Sequence, residues 1–333
     1  MRLIAAVLLT ALSSAVAGPA AAEPPVLKVY TYESFTAEWG PGPQVKKAFE
    51  AECGCTLEFT SVEDGVALLS RLKLEGKSSQ ADVVLGFDTN LTAEATATGL
   101  FAPHGMKLEG LSLPVAWTDP VFVPYDWSYF AFVYDKTKVP NPPQSLHDLV
   151  ENSDLELTIQ DPRTSTPGLG LLLWVKQVYG DKAPEAWARL KPRILTVTPG
   201  WSESYGLFRK GEVPMTFSYL TSPPYHVIAE NDSNVGAAVF SEGNYLQVEV
   251  AAKLASSRHP ELADRFLAFM LSPAFQDLLP TTQWMFPAVT PKAGLPDAYK
   301  ALPTPVKALL YAPEEVAANR AAWIAEWLQA TSR

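Results

Sequence analysis

The chain has 333 residues, of which 47% are hydrophobic and 19% are charged, and its formal net charge at pH 7 is −10. This composition supports a buried core and excludes intrinsic disorder over most of the chain. The negative charge argues against nucleic acid as a partner, because the phosphates would be repelled, and it is compatible with a cationic ligand.

The N terminus has the layout of a secretory signal peptide. Met1 and Arg2 give a short positive start, residues 3–16 form an apolar run, and residues 20–22 are three alanines. The run is shorter than the ~20 residues that a membrane-spanning helix needs. We therefore interpret residues 1–22 as a cleaved export signal. No cysteine follows the apolar run to carry a lipid anchor, so the mature protein is expected to be soluble.

The first part of the mature chain alternates strands and helices. Residues 26–32, 56–62 and 81–87 are predicted strands, and the last of these is apolar throughout, as in a buried parallel strand. Residues 43–52 and 65–76 are predicted helices. This order indicates a doubly wound α/β sheet, in which ligands bind at the carboxyl ends of the strands.

The rest of the chain is interpreted as crossing into a second lobe and returning. Residues 122–134 form a long aromatic strand that we take as the crossover, and the alternating apolar residues 245–251 are taken as the return. The other predicted elements are, in chain order, a helix capped by Ser145, strands at residues 158–159, 193–197 and 215–219, a helix at residues 260–272, and a final helix from Glu314 that packs back on the first lobe.

The reactive residues give no catalytic or metal-binding pattern. Cys53 and Cys55 could form a disulfide in an oxidising compartment, although their close spacing favours strain, and the sequence leaves this open. The four histidines are scattered and show no metal-ligand spacing. There is no nucleophile elbow, phosphate loop or zinc-protease helix, so we expect a binding protein and not an enzyme.

Several segments carry residues that suit a ligand cleft. Residues 161–170 place small hydroxyl residues before Pro167, which predicts a helix N terminus and a possible anion site, although the same pattern also fits a plain helix cap. Residues 200–206 and 219–225 follow predicted strands and combine aromatic rings with Ser, Thr and Gly. With Trp284, these rings could stack on a cationic heterocycle, although each ring alone also fits core packing.

Seven segments resemble the thiamine-binding periplasmic proteins of bacterial ABC transporters, namely residues 29–35, 39–43, 63–65, 81–86, 161–174, 200–203 and 221–225. The resemblance covers nearly the whole mature chain. It implies a class II-like periplasmic-binding-protein fold with two lobes, each a doubly wound sheet flanked by helices, joined by crossing hinge strands. Lobe 1 would comprise residues 23–122 and 252–333, and lobe 2 would comprise residues 123–251.

The same resemblance implies the function and the contacts. The protein would bind thiamine, thiamine monophosphate or thiamine diphosphate as a periplasmic monomer, use no cofactor, and deliver the ligand to an ABC permease with its cytoplasmic ATPase. Tyr32, Trp201, Tyr225 and Trp284 would surround the thiazolium and pyrimidine rings. The other implied contacts are Asp64 and Gly65 at the aminopyrimidine, Ser165 and Thr166 at the hydroxyethyl or phosphate end, and Tyr219, Leu220, Thr221 and Ser222 closing the site, with Trp39 as a further candidate.

Two alternative functions use the same architecture. A thiamine-degrading enzyme of similar fold relies on a cysteine nucleophile, but Cys53 and Cys55 lie at a helix-to-strand turn away from the expected cleft. Ferric-iron-binding proteins rely on converging tyrosinate oxygens, often from neighbouring tyrosines. Here Tyr219 and Tyr225 are six residues apart and have no accompanying carboxylate or histidine cluster. The sequence therefore favours thiamine capture by closure of two lobes.

Overall fold

The computed structural model describes residues 23–332, so the predicted signal peptide at residues 1–22 lies outside the described residues. Within this range the strands are β1 (Val26–Tyr32), β2 (Thr56–Val62), β3 (Val83–Asp88), β4 (Val123–Asp135), β5 (Leu157–Gln160), β6 (Ile194–Thr198), β7 (Met215–Tyr219), β8 (Val235–Ala237), β9 (Asn244–Lys253), β10 (Phe286–Pro287) and β11 (Ala308–Leu309).

The α-helices of the same range are α1 (Glu33–Thr36), α2 (Gly42–Cys53), α3 (Gly65–Glu75), α4 (Thr92–Ala97), α5 (Leu146–Glu151), α6 (Thr166–Tyr179), α7 (Ala183–Leu190), α8 (Trp201–Arg209), α9 (Pro223–Ala229), α10 (Pro260–Phe269), α11 (Pro273–Gln276), α12 (Leu279–Thr282), α13 (Asp297–Lys300) and α14 (Pro313–Thr331). The predicted elements are present, most of them within one or two residues of the predicted bounds. No helix in residues 23–332 combines the length and apolar character that crossing a lipid bilayer requires.

The sheet runs in the order β2-β1-β3-β9-β4-β7-β5-β6. Strand β1 pairs in parallel with β2 and β3, as the alternation of strands and helices predicts. At the other end, β5 pairs in parallel with β6 and β7. The two parallel groups lie on either side of the antiparallel pair β4 and β9, which gives a two-lobed α/β fold and confirms the predicted fold class.

Strands β4 and β9 are the predicted hinge strands. The first half of β4 pairs with β9, where Asp126 lies directly opposite Glu249. The second half of β4 pairs with β7 instead, with Phe132 opposite Phe217. Strand β9 also pairs with β3 of the first lobe. Because each of these strands runs through both halves, the halves are joined by the sheet itself. The lobe boundaries at residues 122/123 and 251/252 stay a prediction.

The helices cover both faces of the sheet. In the first half, α2 and α10 pack on one face, where the rings of Phe49 and Phe266 meet edge to face at 4.9 Å. On the other face a continuous core includes Leu69 of α3, Trp174 of α6 and Trp327 of α14. A helix start positions part of this core, since Ser165 caps α6 by accepting a hydrogen bond from the backbone N–H of Gly168 at 3.3 Å.

The final helix packs back on the first half, as predicted, and its contacts also extend to the second half. Helix α14 contacts α4 of the first half, but it also contacts α6 and α7 of the second half. The Trp327 ring meets the Trp187 ring edge to face at 6.4 Å, and Lys176 Nζ lies 2.9 Å from Glu326 Oε2. Apolar residues on two sides of one long helix allow it to bridge, and helical periodicity alone does not say which partner each side meets.

The cysteine pair is bonded. Cys53 ends α2 and Cys55 precedes β2. Gly54 between them has a left-handed φ of 63°, so the chain turns sharply between the two cysteines. The disulfide closes the helix-to-strand turn that the sequence predicted. It answers the question of the cysteine pair that the sequence left open.

The bridging role of α14 can be tested with Trp327→Ala. Trp327 is 3% exposed, so truncating it should lower the free energy of unfolding by about 3–5 kcal/mol. The measurement is urea unfolding followed by circular dichroism. Val306→Ala, at a 72% exposed position, is the control and should leave the midpoint unchanged. Equal midpoints for wild type and the Trp327 variant would contradict the packing.

Candidate functional site

A cavity of about 620 Å³ lies between the two halves, beside the carboxyl ends of the strands. Tyr32 ends β1, Asp64 follows β2, Trp201 begins the helix after β6, and Tyr219 ends β7. The cavity is lined by Tyr32, Ser34, Trp39, Glu63, Asp64, Trp201, Ser202, Tyr205, Gly206, Arg209, Tyr219, Ser222, Tyr225, Ala229, Glu249, Thr281, Gln283, Trp284 and Met285. Seven of the twelve residues predicted for the site are therefore brought together on its walls.

Tyr32 is held against the floor of the cavity by the backbone of β3. Gly86 lies at an irregularity in the pairing of β3 with β9 and has a φ of +112°. A Cβ atom at this position would lie 2.2 Å from the Tyr32 ring, so only glycine leaves room for that ring. The Tyr32 hydroxyl donates a hydrogen bond to Glu249 Oε2 at 2.9 Å, which fixes the ring at both ends.

Trp201 is fixed by a hydrogen bond and by stacking. Its indole Nε1 donates to Ser218 Oγ at 2.8 Å, and its ring stacks on Tyr205 with a centroid distance of 4.7 Å. Trp39, which is 55% exposed, lies with its centroid 6.2 Å from that of Trp201. Trp39 comes from the first half and Trp201 from the second, so the two indoles meet across the cavity edge.

Tyr225 and Trp284 form a second aromatic pair across the two halves, with centroids 5.3 Å apart and rings edge to face. Trp284 has a φ of +60°, a left-handed conformation that is costly for a large side chain and is typical of functional sites. The Tyr225 hydroxyl donates to Glu230 Oε1 at 2.8 Å. Burial and this bond raise the pKa of Tyr225 to about 12, so the phenol stays neutral.

The segment from Tyr219 to Ser222 is divided between wall and support. Tyr219 and Ser222 line the cavity, whereas Leu220 and Thr221 are buried behind it. Thr221 Oγ1 shares a hydrogen bond of 3.0 Å with Ser128 Oγ of β4. These two inner residues therefore attach the loop to the hinge strand and do not reach the cavity.

Asp64, Gly65, Ser165 and Thr166 form a direct contact between the halves, which we call the closure contact. Ser165 Oγ donates to Asp64 Oδ2 at 2.8 Å, and the Gly65 N–H donates to Asp64 Oδ1 at 2.8 Å. A Cβ atom on Gly65 would lie 2.4 Å from Thr166 Oγ1, so glycine permits this approach. Of the four, only Asp64 lines the cavity. Burial raises the pKa of Asp64.

Glu249 of β9 is a cavity residue that the sequence prediction missed. It is 5% exposed and accepts hydrogen bonds at Oε2 from Tyr32 and, at 2.6 Å, from the Tyr125 hydroxyl. Burial raises the pKa of Glu249 to about 7, although the two hydrogen bonds act to lower it. The available signal was a single carboxylate among the apolar residues 248–252 of this strand.

Arg209 of α8 was also missed and is the one basic side chain on the described cavity lining. It pairs with Glu230 at 2.5 Å, and its guanidinium lies 5.2 Å from the centroid of the Tyr225 ring. Three acidic residues, Glu63, Asp64 and Glu249, share that lining. Aromatic faces beside carboxylates attract a flat cation, through cation–π contact and through charge.

The chain is similar to known proteins over most of its length. Residues 44–308 match the family described as bacterial extracellular solute-binding protein. The chain is 57% identical over 310 residues to the thiamine-binding periplasmic protein of Escherichia coli strain K12, covering 93% of this chain and 94% of that protein. It is 56% identical over 316 residues to the protein of the same name from Brucella abortus, covering 95% of each chain. A solved periplasmic thiamin binding protein shares 55% identity and a TM-score of 0.91, over 96% of this chain and 100% of that one.

The need for glycine beside Tyr32 gives a test of the site geometry. Gly86→Ala places a Cβ against the Tyr32 ring at a positive φ, and should lower the free energy of unfolding by about 2–3 kcal/mol. Gly206→Ala is the matched control, because its added Cβ meets no atom within 4 Å in α8 and should stabilise the helix by up to about 1 kcal/mol. Thermal unfolding distinguishes the two. Similar melting temperatures for Gly86→Ala and wild type would contradict the described contact.

Proposed function

The chain belongs to the bacterial extracellular solute-binding proteins and, within them, to the thiamine-binding periplasmic proteins, and on this premise we propose that it captures thiamine in the cavity between its lobes and delivers it to an ABC permease with a cytoplasmic ATPase. The observation that carries the proposal is the match over nearly the full chain to binding proteins of this name. The aromatic and acidic cavity supports it independently, because thiamine combines a cationic thiazolium with a flat aminopyrimidine.

Ligand recognition is proposed to come from the four aromatic residues predicted for the rings. Tyr32, Trp201, Tyr225 and Trp284 all line the cavity. Their faces can stack on the two heterocycles, and cation–π contact is worth up to ~2 kcal/mol when desolvated. Asp64 is the proposed acceptor for the exocyclic amine of the pyrimidine, since it is the one cavity-lining member of the closure contact.

Capture is proposed to proceed by closure of the lobes. Direct bonds between the halves include the one from Ser165 to Asp64 and another from the Ala67 N–H to the Thr164 carbonyl oxygen at 2.9 Å. A ligand that touches both walls stabilises this closed arrangement to the extent that it binds it more tightly than the open one. The permease would then recognise the closed form. A monomeric state stays a prediction.

A purely binding function, without catalysis or a cofactor, is part of the proposal. Cys53 and Cys55 are bonded to each other and neither lines the cavity, so neither is placed as a nucleophile toward a ligand there. Incubation with thiamine and a competing amine should release no thiazole. No group of three or more His, Cys, Asp and Glu side chains in residues 23–332 has the arrangement of a metal site.

The proposed location is the periplasm, reached through a signal peptide cleaved near residue 22. Its support is the charged start, apolar run and small residues at positions 1–22, together with the periplasmic names of the relatives. Mass spectrometry of the exported protein gives the N-terminal residue. A mature chain that retains Met1 would contradict the cleavage.

Binding of thiamine and its dependence on the indole walls can be measured by calorimetric titration. Trp201→Ala and Trp284→Ala should each weaken thiamine binding about 5–30-fold, the loss expected for one stacking and cation–π contact. Trp127→Ala is the matched control, because Trp127 does not line the cavity and stacks on Phe286 elsewhere. Unchanged affinity in both cavity variants would remove these residues from the site.

Binding measurements with the two phosphate esters of thiamine can distinguish between two candidate positions for the phosphate group. Ser165 caps the N terminus of α6, the end of a helix that favours an anion, although in this closed form its hydroxyl is bonded to Asp64. Arg209 offers a guanidinium on the cavity lining. The variant that removes the true contact, Ser165→Ala or Arg209→Gln, should weaken binding of both esters about tenfold more than that of thiamine. Equal losses for all three ligands in both variants would contradict phosphate recognition at either position.

A further inference from the structure

The cavity floor holds a carboxylate that is almost completely buried. Glu249 is 5% exposed, lies on hinge strand β9 and still lines the cavity. Its Oε2 accepts hydrogen bonds from Tyr32 and Tyr125, and its Oε1 accepts one from Gln247 Nε2 at 3.1 Å. An ionised carboxylate in a buried site needs such donors or an opposite charge. The donors are present, and Glu249 also lines the cavity through which a cation would approach.

A second carboxylate lies behind the first. Asp126 of β4 is directly opposite Glu249 in the β4–β9 pairing and is 0% exposed. Neither of its oxygens has a hydrogen-bond partner among residues 23–332. Two ionised carboxylates on directly opposite residues of paired strands repel each other strongly in a buried site. A single proton shared by the pair removes the repulsion, and on Asp126 it can be donated to Glu249.

Within residues 23–332, the titratable groups that act on the charge of the pair are carboxylic acids and phenols, which supply no positive charge. The polar groups that face Glu249 or bear on its charge are Tyr32 of β1, Asp64 after β2, Asp88 of β3, Tyr125 and Asp126 of β4, Tyr219 of β7, Gln247 of β9 and Gln283 after α12. Burial raises the pKa of Asp88 to about 7, and burial followed by repulsion from Glu249 raises the pKa of Asp126 well above its usual range. The pKa values of the tyrosines are also raised by burial.

We propose that Glu249 is the counter-charge that selects a cationic ligand, and that Glu249 releases its own proton to solvent when the ligand binds, while Asp126 keeps its proton and donates it in a hydrogen bond to Glu249. This inference deepens the proposed thiamine-binding function and rests on it. Glu249 is the residue placed at the ligand, whereas Asp126 acts through Glu249 and is a positioning residue.

Proton release gives the affinity a defined pH dependence. Without ligand, the pKa of Glu249 is about 7, so part of the population is protonated at neutral pH. A bound cation favours the ionised carboxylate and lowers that pKa. Affinity should therefore rise as the pH increases from about 5 to about 7, by at most about tenfold per pH unit for one proton, and then level off.

Calorimetric titration of the full mature protein with thiamine tests the proposal. At pH 6.5 to 7, wild type should release about half a proton per ligand, which appears as different binding enthalpies in phosphate and Tris buffers. Glu249→Gln should weaken thiamine binding about 10–100-fold and abolish the buffer dependence. Asp126→Asn keeps a neutral donor beside Glu249, so it should retain proton release and weaken binding less than Glu249→Gln does.

Controls separate this inference from the function on which it rests. Glu58→Gln, at an exposed carboxylate of β2 outside the cavity, should keep both affinity and proton release. The uncharged thiophene analogue of thiamine should bind weakly to wild type, and Glu249→Gln should reduce the preference for thiamine over it. Failure of wild type to bind thiamine overturns the proposed function. Thiamine binding with equal enthalpies in both buffers, or with unchanged affinity in Glu249→Gln, overturns the inference alone.

Discussion

The pairing of β4 with β9 is the constraint on which the rest of the structure depends. These two strands complete the sheet of each half, and they connect the halves through continuous backbone hydrogen bonds. Their crossing also forms the cavity floor, where Glu249 and Asp126 lie opposite each other. A hinge built from paired strands allows the halves to rotate while the residues at the crossing keep their positions. The two carboxylates that we propose respond to ligand charge therefore lie on the strands that join the halves.

Several features of the cavity are costly to the fold and useful to a ligand site. The carboxylate of Glu249 is buried, and Trp284 has a left-handed backbone conformation. Residue 86 is a glycine, and the Tyr32 ring occupies the space that a side chain there would need. Each lowers stability relative to an apolar or relaxed alternative. They are compensated by extensive cores on both faces of the sheet. A rigid surrounding structure can hold strained residues in place. This arrangement is expected when the geometry of a binding site must be formed before the ligand binds.

The two halves meet through contacts of different character. The closure contact at Asp64 and Ser165 is small and polar. The contact of α14 with α7 on the other side of the molecule is apolar and includes Trp187 and Trp327. This difference suits a protein in which one side opens to admit ligand while the other stays packed. The long final helix therefore packs on both halves of the molecule.

The sequence by itself determined the fold class, the order and bounds of most elements, and the aromatic members of the candidate site. Periodicity and helix caps are local signals, and the carboxyl ends of parallel strands meet at one edge, so Tyr32, Trp201 and Tyr219 could be placed together in advance. Only the tertiary structure decided which of Asp64, Gly65, Ser165 and Thr166 reach the cavity, because their roles depend on contact between distant segments. It also decided the place of Glu249 and the two-sided packing of α14. Neither feature follows from local sequence pattern. The partner of a side chain across a sheet depends on the register of the strands, and its partner in the other lobe depends on how the lobes pack together. A short stretch of sequence contains neither kind of information.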